Sequence, residues 1–469
     1  VRWLFGEINF CPKKEKLTPF TPPNFLHTHD HIMPSGGMSA VHQISASGGA
    51  DSMLTEDPET TSWAHVSMRH TRFAMDASSV SLTGSTKCGG NTKTQIPREG
   101  DLMTSLYVVI DLPGIINGSY KDRVGQMLVD KCSINIGNQC IDEVTSDYLF
   151  MWDCLSGQAG KSLDEMIGCD GDCKNPKGDL KDKFAKRLYV PIPVWFNSAI
   201  PGGVTGNALQ LISLQFHAVS VNLNIKSILD CVEKEFEGAT VKVLSKQSIS
   251  TIGKAKDDDI TTEGAALSND DTNVGLEVGF VYLDSAERQR FADANMEILV
   301  RQLQTMTKKT SKNSSESHRL YFNHPVSELL FAARKDPSKP FDLSGRTIGA
   351  AKMDPIASVQ LKFNNHTRLN NVGNGSAVPA EYFRTVQPFQ HHSRIPDASQ
   401  GEFVYSYSFA LHPEEVQPSG SCNFSRIDNC VLDLQYDLEQ DQEYETIVLA
   451  TNWNILRINN GMAGIAYSN

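Results

Sequence analysis

Alternation of apolar and polar residues at a period of two runs through most of this chain, and it limits what the chain can fold into. Val219, Val221, Leu223 and Ile225 fall on one side of an extended backbone, with Ser220, Asn222, Asn224 and Lys226 on the other, as a sheet with one buried face requires. Further apolar, β-favouring runs lie at 105–113, 240–245, 275–283, 358–363, 402–411, 430–438 and 445–458. Turn-rich segments such as HPEEVQPSGSCN and NNVGNGSAVP separate them. Both halves therefore read as many-stranded antiparallel domains. No period of 20–50 residues repeats, which excludes propellers and helical arrays. Two β sandwiches or jelly rolls are the economical architecture.

A chain of 469 residues fits two domains, and 40% hydrophobic against 21% charged residues is enough apolar material for ordinary cores. Lys plus Arg number 43 against 55 Asp plus Glu, a net charge of −12, which argues against broad nonspecific nucleic-acid binding. No apolar run is long enough to span a bilayer, and residues 1–20 lack the apolar stretch of a secretory signal, so a soluble chain that is not secreted is expected. The ten cysteines are scattered at low density and are expected to be reduced.

Residues 1–60 carry Pro12, Pro19, Pro22, Pro23 and Pro34 and then a Gly/Ser/Ala-rich stretch without periodicity, which reads as an extended arm. One helix is expected over AERQRFADANMEILVRQLQ, capped by Asp284 and amphipathic through Phe291, Ile298, Leu299 and Leu303. The polar TMTKKTSKNSSES at 305–317 reads as a linker between the two halves.

Several strings invite a chemical reading and fall short of one. His27, His29, Asp30 and His31 are metal-ligand types, but they lie in the Pro-rich arm with no rigid element to fix their geometry. Cys169–Cys173 has no second cysteine pair at zinc-ribbon spacing and lacks the glycine of a calcium loop. Gly160, Lys161 and Ser162 imitate the end of a phosphate-binding loop, yet Leu155 stands where its first glycine belongs. His391, His392 and Ser393 with Asp397, and His412 with Glu414 and Glu415, show no nucleophile elbow and are expected to hydrogen-bond turns or an interface. The sequence thus offers no catalytic, cofactor-binding or metal-binding residues, and no enzyme activity or cofactor is expected.

The segments QPFQHHSRIPD and VYSYSFALHPEEVQPSGSCNFSRIDN, within residues 387–429, are far more specific than composition. They resemble the major capsid protein of the nucleocytoplasmic large DNA viruses. The C-terminal NWNILRINNGMAGIAYSN and, upstream in the same order, INIGNQCID, RLYVPIPVWF, ALQLISLQFHAVSV, FVYLDSAERQRFA and FNHPVSELLF are similar to that family too. The resemblance runs from about residue 61 to 469. It departs at Val416, where the family usually has His, at Ala463 in place of a glycine, and in a Cys/Asp-rich insertion near 165–182.

The resemblance implies an all-β double jelly roll: two eight-stranded antiparallel sandwiches with short connecting helices and an N-terminal arm. The division expected is an arm at 1–60, a first jelly roll at 61–284, a connecting helix and linker at 285–317 and a second jelly roll at 318–469. It also implies a structural protein of the outer capsid shell of a virion, assembled inside the host cell. Three copies would form a capsomer of pseudo-hexagonal outline that tiles an icosahedral shell. Its partners would be neighbouring capsomers and minor capsid and penton proteins, near an internal viral membrane and without direct nucleic-acid binding. Trp195, Phe196, Phe389, Phe424 and Trp453 are expected as core or intersubunit anchors, and Arg394, Glu414, Glu415, Arg426 and Asp428 as residues that hold loops or subunit contacts. The alternative is a glycan-binding jelly-roll attachment or spike protein, which the fold alone does not exclude.

Overall fold

The chain divides into two compact units, Val1–His70 and Thr71–Asn469. The computed structural model describes Gly49 and residues 71–467 apart from 117, 158–160, 169–184, 199–204, 235–239, 244–264, 294, 310–313, 337–338, 346, 349–350, 369–376 and 438–442. The expected arm, the His27–His31 string and Cys169–Cys173 lie outside the described residues.

Sixteen strands account for the second unit's architecture. The first eight are Phe73–Val80 (β1), Asn91–Gln95 (β2), Leu102–Leu112 (β3), Val129–Ile136 (β4), Gln139–Thr145 (β5), Lys186–Pro191 (β6), Val219–Ile225 (β7) and Asn273–Leu283 (β8). The next eight are Met296–Lys309 (β9), Ser315–Leu320 (β10), Pro325–Arg334 (β11), Ile356–Phe363 (β12), His366–Thr367 (β13), Tyr405–Ser408 (β14), Cys430–Tyr436 (β15) and Glu445–Asn459 (β16). Antiparallel pairing orders the first set as β1-β8-β3-β6 and β2-β7-β4-β5. The second set is ordered β9-β16-β11-β14 and β10-β15-β12-β13. Counted from one to eight within each set, both read 1-8-3-6 and 2-7-4-5. That shared order, in which the first strand pairs with the last, is a jelly roll made twice.

Alternation places the cores. In β3, Leu106, Val108, Ile110 and Leu112 are buried while Ser105, Tyr107, Val109 and Asp111 are partly open, as one inward face requires. Each fully buried aliphatic side chain of this kind contributes about 1.5–3 kcal/mol. Strand β7 follows the expected register, with Ser220 also buried. Strands β11 and β16 depart from alternation: Val326–Ala333 and Thr446–Asn454 are buried without a break, because both faces of these central strands are covered.

Tight turns fix several registers. Asn460 and Gly461 both have positive φ, 50° and 77°, between β16 and a short added strand Met462–Ile465 (β17), as a two-residue primed turn demands. Asn364 and Asn365 do the same between β12 and β13, at 49° and 66°.

The structure corrects the connection between the halves. Helix Ser285–Asp293 ends well short of the expected span, and Met296–Lys309 is strand β9, paired residue for residue with β16 from Met296↔Ile458 to Lys309↔Glu445. The helix buries none of its residues, so it had no apolar face to extend along, whereas Ile298, Leu299 and Val300 suit a pleated strand and find β16 beside them. Asp284 does accept the Ser285 N–H at 2.8 Å. Within the expected linker, residues 305–309 belong to β9 and residues 315–317 to β10. One strand is also shorter than expected, since only Tyr405–Ser408 of 402–411 is extended in a sheet; of 240–245, Lys242–Val243 is a strand among the described residues 240–243.

Candidate functional site

Of the residues singled out from sequence, Ser393 and Arg394 lie along the seam where the first roll meets the second. Helix Ser146–Leu155 (α1), which follows the fifth strand of the first roll, supplies one side. Phe150 stacks on Phe341 at 4.6 Å between ring centroids and 7° between planes, and the Arg301 guanidinium from β9 lies 4.6 Å over the Trp152 ring. Arg334, at the end of β11, reaches Asp147 of α1 at 3.0 Å and Glu445 of β16 at 2.5 Å. Burial raises the Asp147 carboxyl, and Arg334 opposes that rise.

A denser charge cluster closes the same seam. Arg123 has a left-handed backbone, φ 56°, just before a short helix Val124–Leu128. Its guanidinium bonds to Asp153 of α1 and, at 2.5 Å, to Glu402 of the second roll. Arg394 donates to Glu402 Oε2 at 3.0 Å and to the Asp153 carbonyl at 2.9 Å, and its own backbone N–H donates to the Leu155 carbonyl at 2.9 Å. Gly157 N–H donates to Ser393 Oγ at 2.8 Å. Two arginines and two carboxylates therefore alternate across the junction. Their side chains satisfy one another, which is what lets charges sit there at all.

Strand β9 and the β16–β17 hairpin complete the seam. Leu303 N–H donates to Asp142 Oδ1 at 3.2 Å, and Gln302 Nε2 donates to the Ile141 carbonyl. Burial pushes the Asp142 carboxyl up to about 6 although two backbone N–H groups favour its ionised form. Phe216 N–H donates to the Gly461 carbonyl at 2.9 Å, Ala463 N–H to His217 Nδ1 at 3.2 Å, and Ile465 N–H to Gln139 Oε1 at 3.1 Å.

The histidine strings resolve into separate jobs. The His392 side chain is wholly buried, with Nδ1 at 3.2 Å from Glu414 and Nε2 at 3.2 Å from Glu328. Burial alone would lower the imidazole; the flanking carboxylates outweigh it and push it up to about 9. Burial would raise Glu328, but His392, Arg301 and the Thr451 hydroxyl hold it below its usual range. Glu414 also accepts the Ser393 N–H at 2.9 Å, so the ring anchors the loop carrying Glu414 to strand β11. His391 Nδ1 meets the Leu411 carbonyl at 3.1 Å, and Asp397 accepts the Ser399 N–H at 2.8 Å. These contacts tie turns together, and the His392 ring is committed to two carboxylates instead of the neighbouring Ser393.

Of the expected aromatic anchors, Trp195, Phe196, Phe424 and Trp453 are buried within the chain, while Phe389 is 76% exposed. Among the expected charged residues, Arg394 and Glu414 hold the contacts above, and Glu415, Arg426 and Asp428 are exposed, with the Asp428 carbonyl accepting from Arg319 at 3.4 Å. Sequence reading missed Arg123, Asp142, Asp153 and Glu402. Isolated charges in apolar surroundings, as in FMWDCL, were the available signal. An open depression of about 540 Å³ on the outer face of the β2-β7-β4-β5 sheet is lined by Asn91, Lys93, Asn222 and the paired Lys131 and Glu143.

The comparisons with known proteins bear on what this two-roll body is. The sequence pattern described as large eukaryotic DNA virus major capsid protein matches residues 287–464, and that of the major capsid protein N-terminus matches 61–284. The chain is 31% identical over 448 residues to the major capsid protein of Pyramimonas orientalis virus, across 91% of this chain and 98% of that one. It belongs to the major capsid proteins of large eukaryotic DNA viruses.

The major capsid protein of Paramecium bursaria Chlorella virus 1 is 29% identical over 485 residues, across 93% of this chain and all of that one. A quasi-atomic structure of the PBCV-1 virus capsid superposes with a TM-score of 0.67 at 25% identity, over 87% of this chain and 100% of that one. The Faustovirus major capsid protein shares the fold at a TM-score of 0.64 and 10% identity, over 90% of this chain and 97% of that one. The double jelly roll is thus that of a capsid protein, its role is structural, and its place is the capsid shell of a virion.

Proposed function

We propose that the chain is a non-enzymatic tile made of two jelly-roll domains, 61–284 and 296–469, joined by helix Ser285–Asp293, and that three copies close into a capsomer of pseudo-hexagonal outline. The observation that carries this reading is the duplicated strand order 1-8-3-6 and 2-7-4-5 together with the buried seam that holds the two rolls as one body. Two similar rolls per chain let a threefold ring offer six comparable edges, which is the geometry a flat hexagonal lattice needs. Neighbouring capsomers, minor capsid proteins and penton proteins are its partners in this reading, and residues 1–60 are the segment proposed to reach one of them. The ion pairs and hydrogen bonds at the seam give it a mechanical role, with histidines and carboxylates spent on one another.

The glycan-binding alternative is set aside because the family match extends over both rolls. Native mass measurement tests the proposal. A stable species of about 155 kDa, three times the 51.7 kDa chain, is expected, and it packs into hexagonal arrays without added sugar. A species that stays at one chain mass at every concentration would contradict it. Deletion of residues 1–37 is expected to lower particle completeness or stability, and unchanged particles would remove the arm from the account.

A further inference from the structure

The core of the second roll holds a titratable ring that takes no part in the seam. His318 sits on the inward face of β10 and is wholly buried, as is Leu320 two positions on, while Ser315, Ser317 and Arg319 face outward. Its Nε2 lies 2.8 Å from the Tyr436 hydroxyl of β15, and that hydroxyl lies 2.6 Å from the Thr446 hydroxyl of β16. Because β10 and β15 belong to one sheet and β16 to the other, this polar relay crosses the roll from sheet to sheet. The ring stands edge-on to Tyr436, which stacks on Tyr444 at 5.8 Å with 10° between planes. Among the described residues Nδ1 is buried with no hydrogen-bond partner. A neutral ring can either accept from Tyr436 or donate to it. A doubly protonated ring can only donate, and it carries both a charge and an Nδ1–H with no acceptor.

We propose that His318 is an acid-sensitive latch: a second proton on its ring breaks the relay to Tyr436 and Thr446 and releases strand β10 from the second roll. The strand is poised for this, because it is the edge of its sheet and a single ladder, from Ser315↔Gln435 to Leu320↔Cys430, holds it. The charged groups that face the ring come from β9, β10 and β15, while β16 presents the uncharged Thr446. Glu316 of β10 pairs with Lys308 of β9 at 2.8 Å, and Asp433 of β15 pairs with Lys362 of β12 at 2.6 Å. Burial holds the imidazole below its ordinary range; Glu316 and Asp433 favour the charged form and Lys308 opposes it, without reversing that direction. The folded ring therefore takes its proton less readily than an unfolded histidine. The latch is intact above about pH 6.5, and its contribution is lost as pH falls below that. A shell built of such chains would hold near neutrality and weaken in acid.

The test compares the full chain with His318→Phe and His318→Gln by hydrogen exchange of residues 315–320 and by melting temperature, from about pH 7.5 to about pH 5, with exchange rates corrected for the intrinsic effect of pH. Asp142 and His392 are common to all three proteins, so the difference between parent and variant isolates the His318 ring. In the parent, opening of 315–320 is expected to grow by up to about tenfold for each pH unit below 6.5, the limit set by one linked proton, and in both variants to change by less than about twofold. The parent is also expected to lose several degrees of melting temperature relative to each variant over the same range. Exchange of the His318 Cε1 hydrogen, followed by mass spectrometry in the parent itself, reads the ring's titration even where a variant fails to fold. Its midpoint is expected to lie below that of the same residue in denaturant. A midpoint at or above the denatured one, or pH curves that run parallel in parent and variants, would overturn the latch. A parent that gains stability over the variants in acid would overturn it as well, with Glu316 accepting the new Nδ1–H. Exchange that rises equally across both rolls would overturn the release of β10.

Discussion

At Arg123 one guanidinium serves two carboxylates, Asp153 on the first roll and Glu402 on the second. Arg123→Met leaves Asp153 buried with less compensation, and a loss of about 3–5 kcal/mol is expected in denaturant unfolding, as for other broken buried pairs. Asp142 works in the opposite sense. Its folded value, about 6, lies above its ordinary one, so ionisation costs stability as pH rises through that range. Asp142→Asn keeps an acceptor for the Leu303 and Glu143 N–H groups, and it is expected to be more stable than the parent at pH 8 by on the order of 1–3 kcal/mol, with the difference gone at pH 4. His392 is raised to about 9, so its contribution is fully present below about pH 6.5 and is lost as pH rises through 9. Glu328 is lowered, so its share is lost as acid brings it below its ordinary range. Melting temperature should fall on the alkaline side by several degrees in the parent and by less in His392→Gln, and parallel curves would contradict the assignment. None of these partnerships was legible in the sequence, since Arg123 and Glu402 are 279 positions apart and only the fold brings them together.

Elements were legible where the period was clean. Strands β7, β8, β12, β15 and β16 lie where alternation or apolar runs put them, because side-chain period and sheet burial are one fact. The reading failed at β9, where Ile298, Leu299 and Leu303 also satisfy a helical spacing and only the presence of β16 decides for a strand. The Asn460–Gly461 turn was a missed signal, since that dipeptide between apolar runs predicts a two-residue hairpin. Gly461→Ala forces a positive φ on a residue with a Cβ, and that atom would lie 2.9 Å from Phe216 Cδ2. A cost of about 1–2 kcal/mol is expected, together with faster hydrogen exchange at the Phe216 amide that donates to this turn.

For the whole molecule, the duplicated strand order and the seam make one rigid pair out of two sandwiches, and the family likeness covers both. The family was legible because short motifs in HPEEVQPSG and its neighbours recur in order along the chain, while the seam was not, because its residues follow no local pattern. If the first roll, residues 71–284, is made alone, the aromatic face of α1 loses its cover and the fragment is expected to precipitate or form aggregates of no fixed size, whereas the full chain is expected to assemble to a defined trimer. The most direct test of the account is an electron cryomicroscopy reconstruction of the assembled protein. Six sandwich-shaped densities around each threefold axis, alternating between the two rolls, are predicted; an assembly lacking threefold order, or with only one roll of each chain in the ring, would contradict it.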